Sequence, residues 1–252
     1  MTLCAPNAET TRIALESLAG GARADVAEVA HRYSALEAFD AFDALLASGS
    51  GALLSDRERA ELAAWHDPDR RRSWLAGRLL AKQLVRETWS AAPADSAIEI
   101  LSLNDQRRGR RPRVVCDGQQ MPWSLSISHT QRGVLVALST APSVAVGVDL
   151  AARQDVSAGF VRLWFTPAEQ RWLAESTDAH AAATIWAAKE ALFKACNRGE
   201  GFAPRMIEVL PGGRCSYQQI SLPGCLRFWS VDKQIAVLAT VKGDHDPNSS
   251  SR

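Results

Sequence analysis

The sequence predicts a mixed α+β fold made of two similar halves, and three observations support this prediction. The chain has 252 residues, of which 46% are hydrophobic and 23% charged, as in an ordinary globular protein. Helix-like and strand-like segments alternate between about residue 50 and residue 242. A nine-residue segment that begins at Trp74 is followed 112 residues later by a similar one that begins at Trp186, which indicates a duplication.

In the first half, capping and turn signals define the elements. Ser55 and Glu58 have capping-box spacing before a helical run, and a second helix is predicted from Arg70 to Thr88. Two hairpins should follow, with strands at 97–103, 114–115, 124–128 and 134–138. The residues 141–143 then form a predicted linker.

The second half begins with a buried strand at 144–150 that carries Asp149 near its end. Thr166 and Glu169 form a second capping box with Pro167 at the first helical position, so a helix should begin there. A longer helix is predicted at about 179–196. Four strands are predicted after it, at 206–210, 215–220, 226–231 and 236–241.

These elements divide the chain into a first α+β subdomain at 49–141 and a second at 142–242, which would hold a metal site. The first 48 residues are Ala-rich and partly irregular, and we expect them to contribute little to the core. The polar segment 243–252 is predicted to be a disordered tail.

The net charge and the cysteines limit the expected partners and compartment. The chain has 29 Lys and Arg residues and 28 Asp and Glu residues, so its net charge is +1. We therefore expect no overall electrostatic attraction to nucleic acid or to a membrane. The five cysteines include no Cys-x-x-Cys pair, which argues against a disulfide framework and a zinc knuckle. Without a basic, apolar leader or a run of 18 apolar residues, a cytoplasmic protein is expected.

Several common enzyme motifs are absent from the sequence. It contains no phosphate-binding loop, no Gly-x-Gly-x-x-Gly, no Gly-x-Ser-x-Gly and no His-Glu-x-x-His. P-loop hydrolysis, dinucleotide redox chemistry, serine esterase activity and zinc protease activity therefore lose support.

Three side chains could instead build a site for a divalent ion and a phosphate. Glu190 and Lys194 lie four residues apart, so they share one face of the long helix. Together with Asp149 at the strand end, Glu190 could hold Mg²⁺, which favours one or two protein carboxylates plus water and phosphate oxygens. Lys194 would then contact phosphate. The alternatives are an ordinary i,i+4 ion pair and a carboxylate that caps a turn.

A second set of candidates lies in the first half. His129 lies between two predicted strands and is flanked by hydroxyls at Ser128 and Thr130, a cluster that can bind phosphate oxygens, although a structural turn histidine is the alternative. The basic runs at 70–72 and 107–113 are either solvated faces or a docking site for a polyanion. The hypothesis that remains is a magnesium-dependent enzyme that acts on a phosphorylated substrate.

Two motifs connect these candidates to a known family. Gly147-Val148-Asp149 is followed by Trp186-Ala187-Ala188-Lys189-Glu190-Ala191-Leu192-Phe193-Lys194. A Gly-Val-Asp triplet ahead of Trp-x-x-Lys-Glu-x-x-x-Lys resembles the second motif of the 4′-phosphopantetheinyl transferase superfamily, in particular its two-repeat, monomeric Sfp-type subgroup. Further similarity is found in the segments 109–112, 126–130 and 165–169, and the resemblance covers about residues 50–240.

The resemblance implies a pseudo-twofold α+β fold with coenzyme A bound in the cleft between the halves. Asp149 and Glu190 would bind Mg²⁺, for which Mn²⁺ could substitute, while Lys194 and His129 would contact the diphosphate. The other implied contacts are the 3′-phosphate with Arg70, Arg71, Arg78 and Ser128, the adenine with Arg111 and Pro112, and a supporting cation at Lys189.

The reaction implied by the resemblance joins coenzyme A to a carrier protein. A serine hydroxyl of an acyl carrier protein or of a peptidyl or polyketide carrier domain would attack the β-phosphorus, releasing adenosine 3′,5′-bisphosphate and leaving a phosphopantetheine arm. Glu190, Lys194 and His129 would be catalytic, and Glu190 could accept the serine proton directly or through a water molecule. The enzyme would be a monomer.

One position departs from the family pattern. Many members carry a second acid two residues after the strand aspartate, and here that position is Ala151. Water can replace a carboxylate around Mg²⁺, so activity should survive with two carboxylates. The alternatives are a degenerate member that binds coenzyme A without turnover and a non-catalytic module whose arginines bind nucleic acid or acidic proteins.

Overall fold

The computed structural model describes residues 29–39, 53–90, 97–103, 109–197, 199–222 and 225–242, and these residues form a mixed fold of helices and antiparallel sheets. Mixed helix and sheet structure is what the sequence predicts. The predicted tail at 243–252 and most of the Ala-rich segment 1–48 lie outside the described residues.

The first half begins with a strand, continues with helices and ends with five strands. The elements are β1 (Val29–Ala35), a 3₁₀ turn (Leu36–Phe39), α1 (Asp56–Ala63), α2 (Pro68–Thr88), β2 (Ile98–Leu103), β3 (Gly109–Cys116), β4 (Gln119–Gln120), β5 (Ser124–His129) and β6 (Gly133–Ser139). They form two three-stranded sheets with the orders β1-β6-β5 and β2-β3-β4. A first core lies between α2 and these sheets.

The second half begins with a strand, continues with three helices and ends with five strands. They are β7 (Val144–Ala152), α3 (Ala158–Trp164), α4 (Pro167–Glu175), α5 (Ala181–Cys196), a 3₁₀ turn (Pro204–Met206), β8 (Ile207–Leu210), β9 (Arg214–Tyr217), β10 (Ile220–Ser221), β11 (Cys225–Val231) and β12 (Gln234–Lys242). The sheet orders are β11-β12-β7 and β10-β9-β8, which correspond to those of the first half. A second core surrounds α5.

Each half is held together by a buried ion pair at a capping box. Both predicted capping boxes are present, Ser55 with Glu58 and Thr166 with Glu169. In α1 and α2, Glu58 Oε2 lies 2.6 Å from Lys82 Nζ, and Glu58 Oε1 accepts a bond from the Ile100 amide of β2. In α4 and α5, Glu169 Oε2 lies 2.7 Å from Lys189 Nζ, and Glu169 Oε1 accepts a bond from the Val209 amide of β8.

The two ion pairs have a different spacing from the predicted alignment of the halves. A spacing of 112 residues aligns Trp74 with Trp186 and Lys82 with Lys194. In the structure, the lysine that pairs with a capping-box glutamate is Lys82 in the first half and Lys189 in the second, 107 residues later (189 − 82). Ala, Leu and Lys recur in any helix, so a short sequence alignment does not fix the position along it.

Three further predictions are corrected by the structure. Residues 29–39 do contribute to the core, because β1 pairs with β6 and the turn after it buries Leu36 and Phe39. The single strand predicted at 215–220 is a hairpin, because Gln218 and Gln219 adopt positive φ. Helix α3 was not predicted, since it is short and buries no residue completely.

The two halves meet along β5 and β7, and three serines of β5 make the joint. The hydroxyls of Ser124, Ser126 and Ser128 accept bonds from the amides of Val146, Val148 and Leu150, at 2.8, 3.0 and 3.1 Å. Because alternate residues of a strand share one face, these hydroxyls form a ladder along the edge of β7. We call this ladder the serine seam. It is joined by an apolar layer from β6, β7 and β12.

No helix in the described part of the chain combines the length and the apolar character needed to cross a membrane.

Candidate functional site

Asp149 and Glu190 come from separate elements and contact the same ammonium group. Lys194 Nζ on α5 lies 2.7 Å from Asp149 Oδ1 on β7 and 3.9 Å from Glu190 Oε2 one helical turn earlier. Glu190 is also within hydrogen-bond reach of Asp149. Asp149 is buried, whereas Glu190 and Lys194 are each about one-third exposed, so the group is open to solvent on the helix side.

Gly147 explains why the strand and the helix come so close. A Cβ atom at this position would lie 1.9 Å from the carbonyl oxygen of Ala191 and 2.6 Å from the amide nitrogen of Ala195. Only glycine therefore allows α5 to pack directly on β7. Because Ala191 is next to Glu190 and Ala195 is next to Lys194, this contact sets the distance of both functional residues from Asp149.

The pKa of Glu190 is raised above its ordinary value. The first cause is burial, and the second is the negative charge of Asp149, while Lys194 and a hydrogen bond with Trp186 oppose the shift. Trp186 is held by aromatic rings, with Phe160 at 4.6 Å and Phe202 at 5.5 Å between ring centroids. Two carboxylates that destabilise each other's charge are a donor set that a cation would relieve.

The residues present fit a hard divalent cation. Mg²⁺ is usually bound through one or two carboxylates, with water and substrate phosphates completing its octahedron. Asp149 and Glu190 supply two carboxylates, whereas residue 151 is an alanine and adds no third carboxylate. Among the described residues, no group of three or more His, Cys, Asp and Glu side chains is arranged to hold a metal, so water and phosphate oxygens would have to complete the shell.

Ser128 lies against Asp149. Its hydroxyl donates to Asp149 Oδ1 at 2.8 Å and accepts from the Leu150 amide, and Lys194 Nζ lies 3.4 Å from it. The resemblance assigns Ser128 to the 3′-phosphate. In the structure it is buried beside Asp149 and does not line the pocket that holds the basic residues of α2.

That pocket lies in the first half, next to His129. It is lined by Trp65, Arg70, Ser73, Trp74, Arg78, Ile127 and His129. His129 lies at the mouth of this pocket and is exposed. The pKa of His129 is lowered, first by desolvation of the ring and then by the positive charges of Lys194, Arg70 and Arg78. The influence of Lys194 on His129 connects this pocket with the carboxylate pair.

The predicted first-half arginines occupy three different environments. Arg78 is buried, stacks on Trp74 at 4.2 Å, and donates to Ile100 O and Ser102 Oγ, and burial lowers the pKa of Arg78 to about 10. Arg70 is exposed and lies over Trp65 at 5.8 Å. Arg71 does not line the pocket, because it donates to the carbonyls of Leu62 and Trp65.

Two other predicted residues have structural contacts. Arg111 crosses the joint between the halves, with bonds to Val146 O and Ser124 Oγ at 2.8 Å. Pro112 follows it on β3, and the contact of both with adenine stays a prediction. Lys189 is wrong as a supporting cation of the site. It is fully buried, and its ammonium contacts Glu169 and the carbonyls of Pro204 and Ile207.

Some residues that line the pocket are not among the candidates predicted from the sequence. Trp65 and Ser73 line the pocket, and Trp74 was noted only for the repeat. Trp74 and Arg78 are four residues apart, a spacing that places an indole and a guanidinium on one helix face and could have predicted their stacking. The alternation Ser124, Ser126, Ser128 likewise indicates a polar face on an otherwise apolar strand.

Comparisons with known proteins give one family model and a set of solved structures. No curated protein matches the chain. Among solved structures 35 chains match, one being a holo-(acyl-carrier-protein) synthase from Bacillus anthracis str. Ames in complex with CoA (3′,5′-ADP). That structure is 18% identical with a TM-score of 0.35, and the alignment covers 44% of this chain and 92% of that chain. Residues 145–241, which contain Asp149, Glu190 and Lys194, match the model of the 4′-phosphopantetheinyl transferase superfamily.

Proposed function

We propose that this protein transfers the 4′-phosphopantetheine group of coenzyme A to a serine hydroxyl of an acyl or peptidyl carrier protein. The reaction releases adenosine 3′,5′-bisphosphate and depends on Mg²⁺. The family match at 145–241 supports this assignment because it contains the three residues of the candidate site. We further propose the two-repeat, monomeric Sfp-type subgroup, since the sheets of the two halves have corresponding strand orders within one chain.

The observation that carries the proposal is the meeting of Asp149 and Glu190 at one ammonium. A strand carboxylate and a helix carboxylate, both within 4 Å of Lys194 Nζ, form a compact set of negative and positive groups. Structural ion pairs do not require two carboxylates with mutually unfavourable charges. Such a set does suit a cation bound to a diphosphate, whose oxygens Lys194 can neutralise.

Each residue of the site has a distinct task in the proposed reaction. When bound, Mg²⁺ would supply charge neutralisation on the diphosphate. Lys194 would turn from Asp149 to a phosphate oxygen, which its partial exposure allows. Glu190 would help to hold the cation and would accept the proton of the attacking serine hydroxyl, directly or through a water molecule. Phosphoryl transfer needs mainly such positioning and electrostatic stabilisation.

The pocket of the first half would take the other end of the substrate. Arg70 is exposed there, Arg78 is fixed by its stacking on Trp74, and His129 lines the pocket. A guanidinium and an imidazole are suitable donors for a terminal phosphate. We therefore place the 3′-phosphate with Arg70, Arg78 and His129. Arg71 and Ser128 are weaker candidates, because neither of them lines this pocket.

The proposal is tested by intact mass spectrometry of an apo carrier protein after incubation with the enzyme, coenzyme A and Mg²⁺. We expect a gain of one phosphopantetheine group per carrier, and no gain when the metal is chelated or Glu190 is replaced in Glu190→Ala. The matched control is Glu175→Ala, which removes an exposed glutamate from α4 and should transfer like the wild type.

Failure of the wild type across a panel of acyl, peptidyl and polyketide carriers would contradict the proposal. If Ala151→Glu then produced transfer, the chain would be a degenerate member that lacks its third acid. If transfer by the wild type survived chelation and Glu190→Ala, the metal-dependent mechanism would be wrong although the activity was right.

A further inference from the structure

We propose that Ser128 is a positioning residue that orients the Asp149 carboxylate toward the divalent cation, and that it is not a ligand of the coenzyme A 3′-phosphate. This inference rests on the proposed function and adds a role for the strand that joins the two halves.

Ser128 lies at one end of the serine seam. Its hydroxyl is the last of three that accept bonds from amides of β7, after those of Ser124 and Ser126. Ser126 and Ser128 are both buried, with 3% and 6% of their surfaces exposed. The two residues therefore make the same contact in the same environment, one strand repeat apart.

Ser128 also contacts the carboxylate of Asp149. Because its oxygen accepts the Leu150 amide, its hydroxyl hydrogen is available for donation, and it donates to Asp149 Oδ1 at 2.8 Å. Lys194 Nζ bonds to the same carboxylate oxygen at 2.7 Å. When Lys194 turns to a phosphate oxygen, Ser128 is the donor that stays on Oδ1 and restrains the orientation of the Asp149 carboxylate.

A phosphate oxygen would need the hydroxyl hydrogen of Ser128 as its donor. The hydroxyl has one hydrogen, and that hydrogen is already donated to Asp149. A bond to an anionic phosphate oxygen would have to replace the bond to the carboxylate and would leave Asp149 with one donor fewer in a buried setting. His129, the next residue, is exposed and lines the pocket, so its imidazole is better placed than Ser128 to donate to a phosphate.

The consequence is a direct connection between the joint of the halves and the metal site. Hydrogen bonds to a carboxylate ligand set its orientation, and the loss of such a partner typically costs about 10–100-fold in metal affinity. Ser128 anchors Asp149 to a strand of the first half, whereas Glu190 and Lys194 belong to the second. The first half would therefore contribute to metal binding without supplying a metal ligand.

The test compares Ser128→Ala with the matched seam variant Ser126→Ala in the full chain. The dissociation constant of Mn²⁺ is measured by electron paramagnetic resonance with coenzyme A present, and that of coenzyme A is measured by calorimetry in chelator. We expect Ser128→Ala to weaken Mn²⁺ binding at least about 10-fold and Ser126→Ala less than about 2-fold. Metal-free coenzyme A binding should be the same in both variants and in the wild type.

Thermal unfolding separates this role from a structural one. Each variant loses its seam bond and Ser128→Ala also loses the bond to Asp149, so Ser128→Ala should lower the unfolding temperature at least as much as Ser126→Ala, and both variants should remain folded at the temperature of the Mn²⁺ measurement. If Ser128→Ala does not fold, Ser128→Cys keeps the side-chain volume with a weaker donor and should also weaken Mn²⁺ binding relative to Ser126→Cys.

Three results would overturn the inference. Equal Mn²⁺ affinities for the two serine variants would make Ser128 a seam residue only. A loss of metal-free coenzyme A affinity confined to Ser128→Ala would make it a phosphate ligand. If the wild type itself bound Mn²⁺ no better than Asp149→Asn, the proposed metal site would be wrong and the inference would fail with it.

Discussion

At the scale of single residues, the site is a balance of opposed charges around Lys194. Asp149 and Glu190 share this ammonium, and the remaining unfavourable interaction is expressed in the raised pKa of Glu190, caused first by burial and then by Asp149. A group whose folded pKa is raised holds its proton more tightly in the native state than in the unfolded chain. Ionising Glu190 therefore costs stability unless a cation is bound.

This balance predicts how stability depends on pH in the absence of metal. As the pH rises from the ordinary glutamate pKa of 4.5 through the raised pKa of Glu190, the wild type should lose stability, because the folded state must release a proton that it binds more tightly. Glu190→Gln cannot ionise and should lack this loss. Above that range we expect the variant to melt a few degrees higher, at about 2–4 °C per kcal/mol.

The measurement is thermal unfolding of both proteins in chelator across this pH range, repeated with Mg²⁺. Added Mg²⁺ should stabilise the wild type and leave Glu190→Gln almost unchanged, since a ligand stabilises only the state that binds it. Parallel pH profiles for the two proteins would show that ionising Glu190 does not cost the folded state stability.

At the scale of elements, the contact between β7 and α5 determines the geometry of the site. We predict that Gly147→Ala displaces α5, since the new Cβ would overlap the backbone at Ala191. A displacement of about 1 Å can reduce a rate about 100-fold, and we expect a loss of this order in kcat/KM. The control is Gly201→Ala, where a Cβ meets no atom within 4 Å, and which should keep nearly full activity. Wild-type kinetics for Gly147→Ala would contradict the role given to this contact.

The two buried ion pairs lead to a second prediction at this scale. Glu58→Gln and Glu169→Gln each leave a buried lysine without its carboxylate, at a cost of about 3–5 kcal/mol. Because both glutamates also cap a helix and accept a strand amide, the two losses should agree within about 1 kcal/mol. Urea unfolding measures them. A large loss for one variant and none for the other would show that the two pairs are not equivalent.

The elements differ in how well the sequence predicts them, and the difference has a local cause. Helix α4 is predicted from its capping box and from Pro167, and it begins at that proline. Helix α2 is predicted to begin at Arg70 and begins two residues earlier, at Pro68 after the capping side chain of Asp67. Strand β1 is mostly polar and half-buried, with the sequence Val-Ala-His-Arg-Tyr-Ser-Ala, so no alternation identifies it. Its place depends on pairing with β6, a contact distant in sequence.

The candidate site shows the same limit. The spacing within α5 predicts that Glu190 and Lys194 share a face, since helix geometry alone determines this. The approach of Asp149 needs the packing of β7 on α5, and the contact of Ser128 needs the seam between the halves. Motif similarity indicated Asp149 as a partner, whereas the seam and the function of Lys189 depend on tertiary contacts that no motif describes.

At the scale of the whole molecule, the sheets of the two halves have corresponding strand orders, whereas the helices that carry the two buried lysines differ in their other side chains. Aligned on the ion pairs, Glu190 corresponds to Gln83 and Lys194 to Glu87 (a difference of 107 in each case). The carboxylate pair is thus confined to the second half, whereas the arginine pocket lies in the first. A molecule with this division would bind the two ends of one substrate with its two halves.

The most direct test of this account is the paramagnetic broadening of the ³¹P resonances of coenzyme A by protein-bound Mn²⁺. The account predicts that the diphosphate resonances broaden far more than the 3′-phosphate resonance in the wild type, and that Asp149→Asn and Glu190→Gln abolish the difference. Broadening that is equal for all three phosphates, or unchanged in both variants, would contradict a metal ion held by these two carboxylates against the diphosphate.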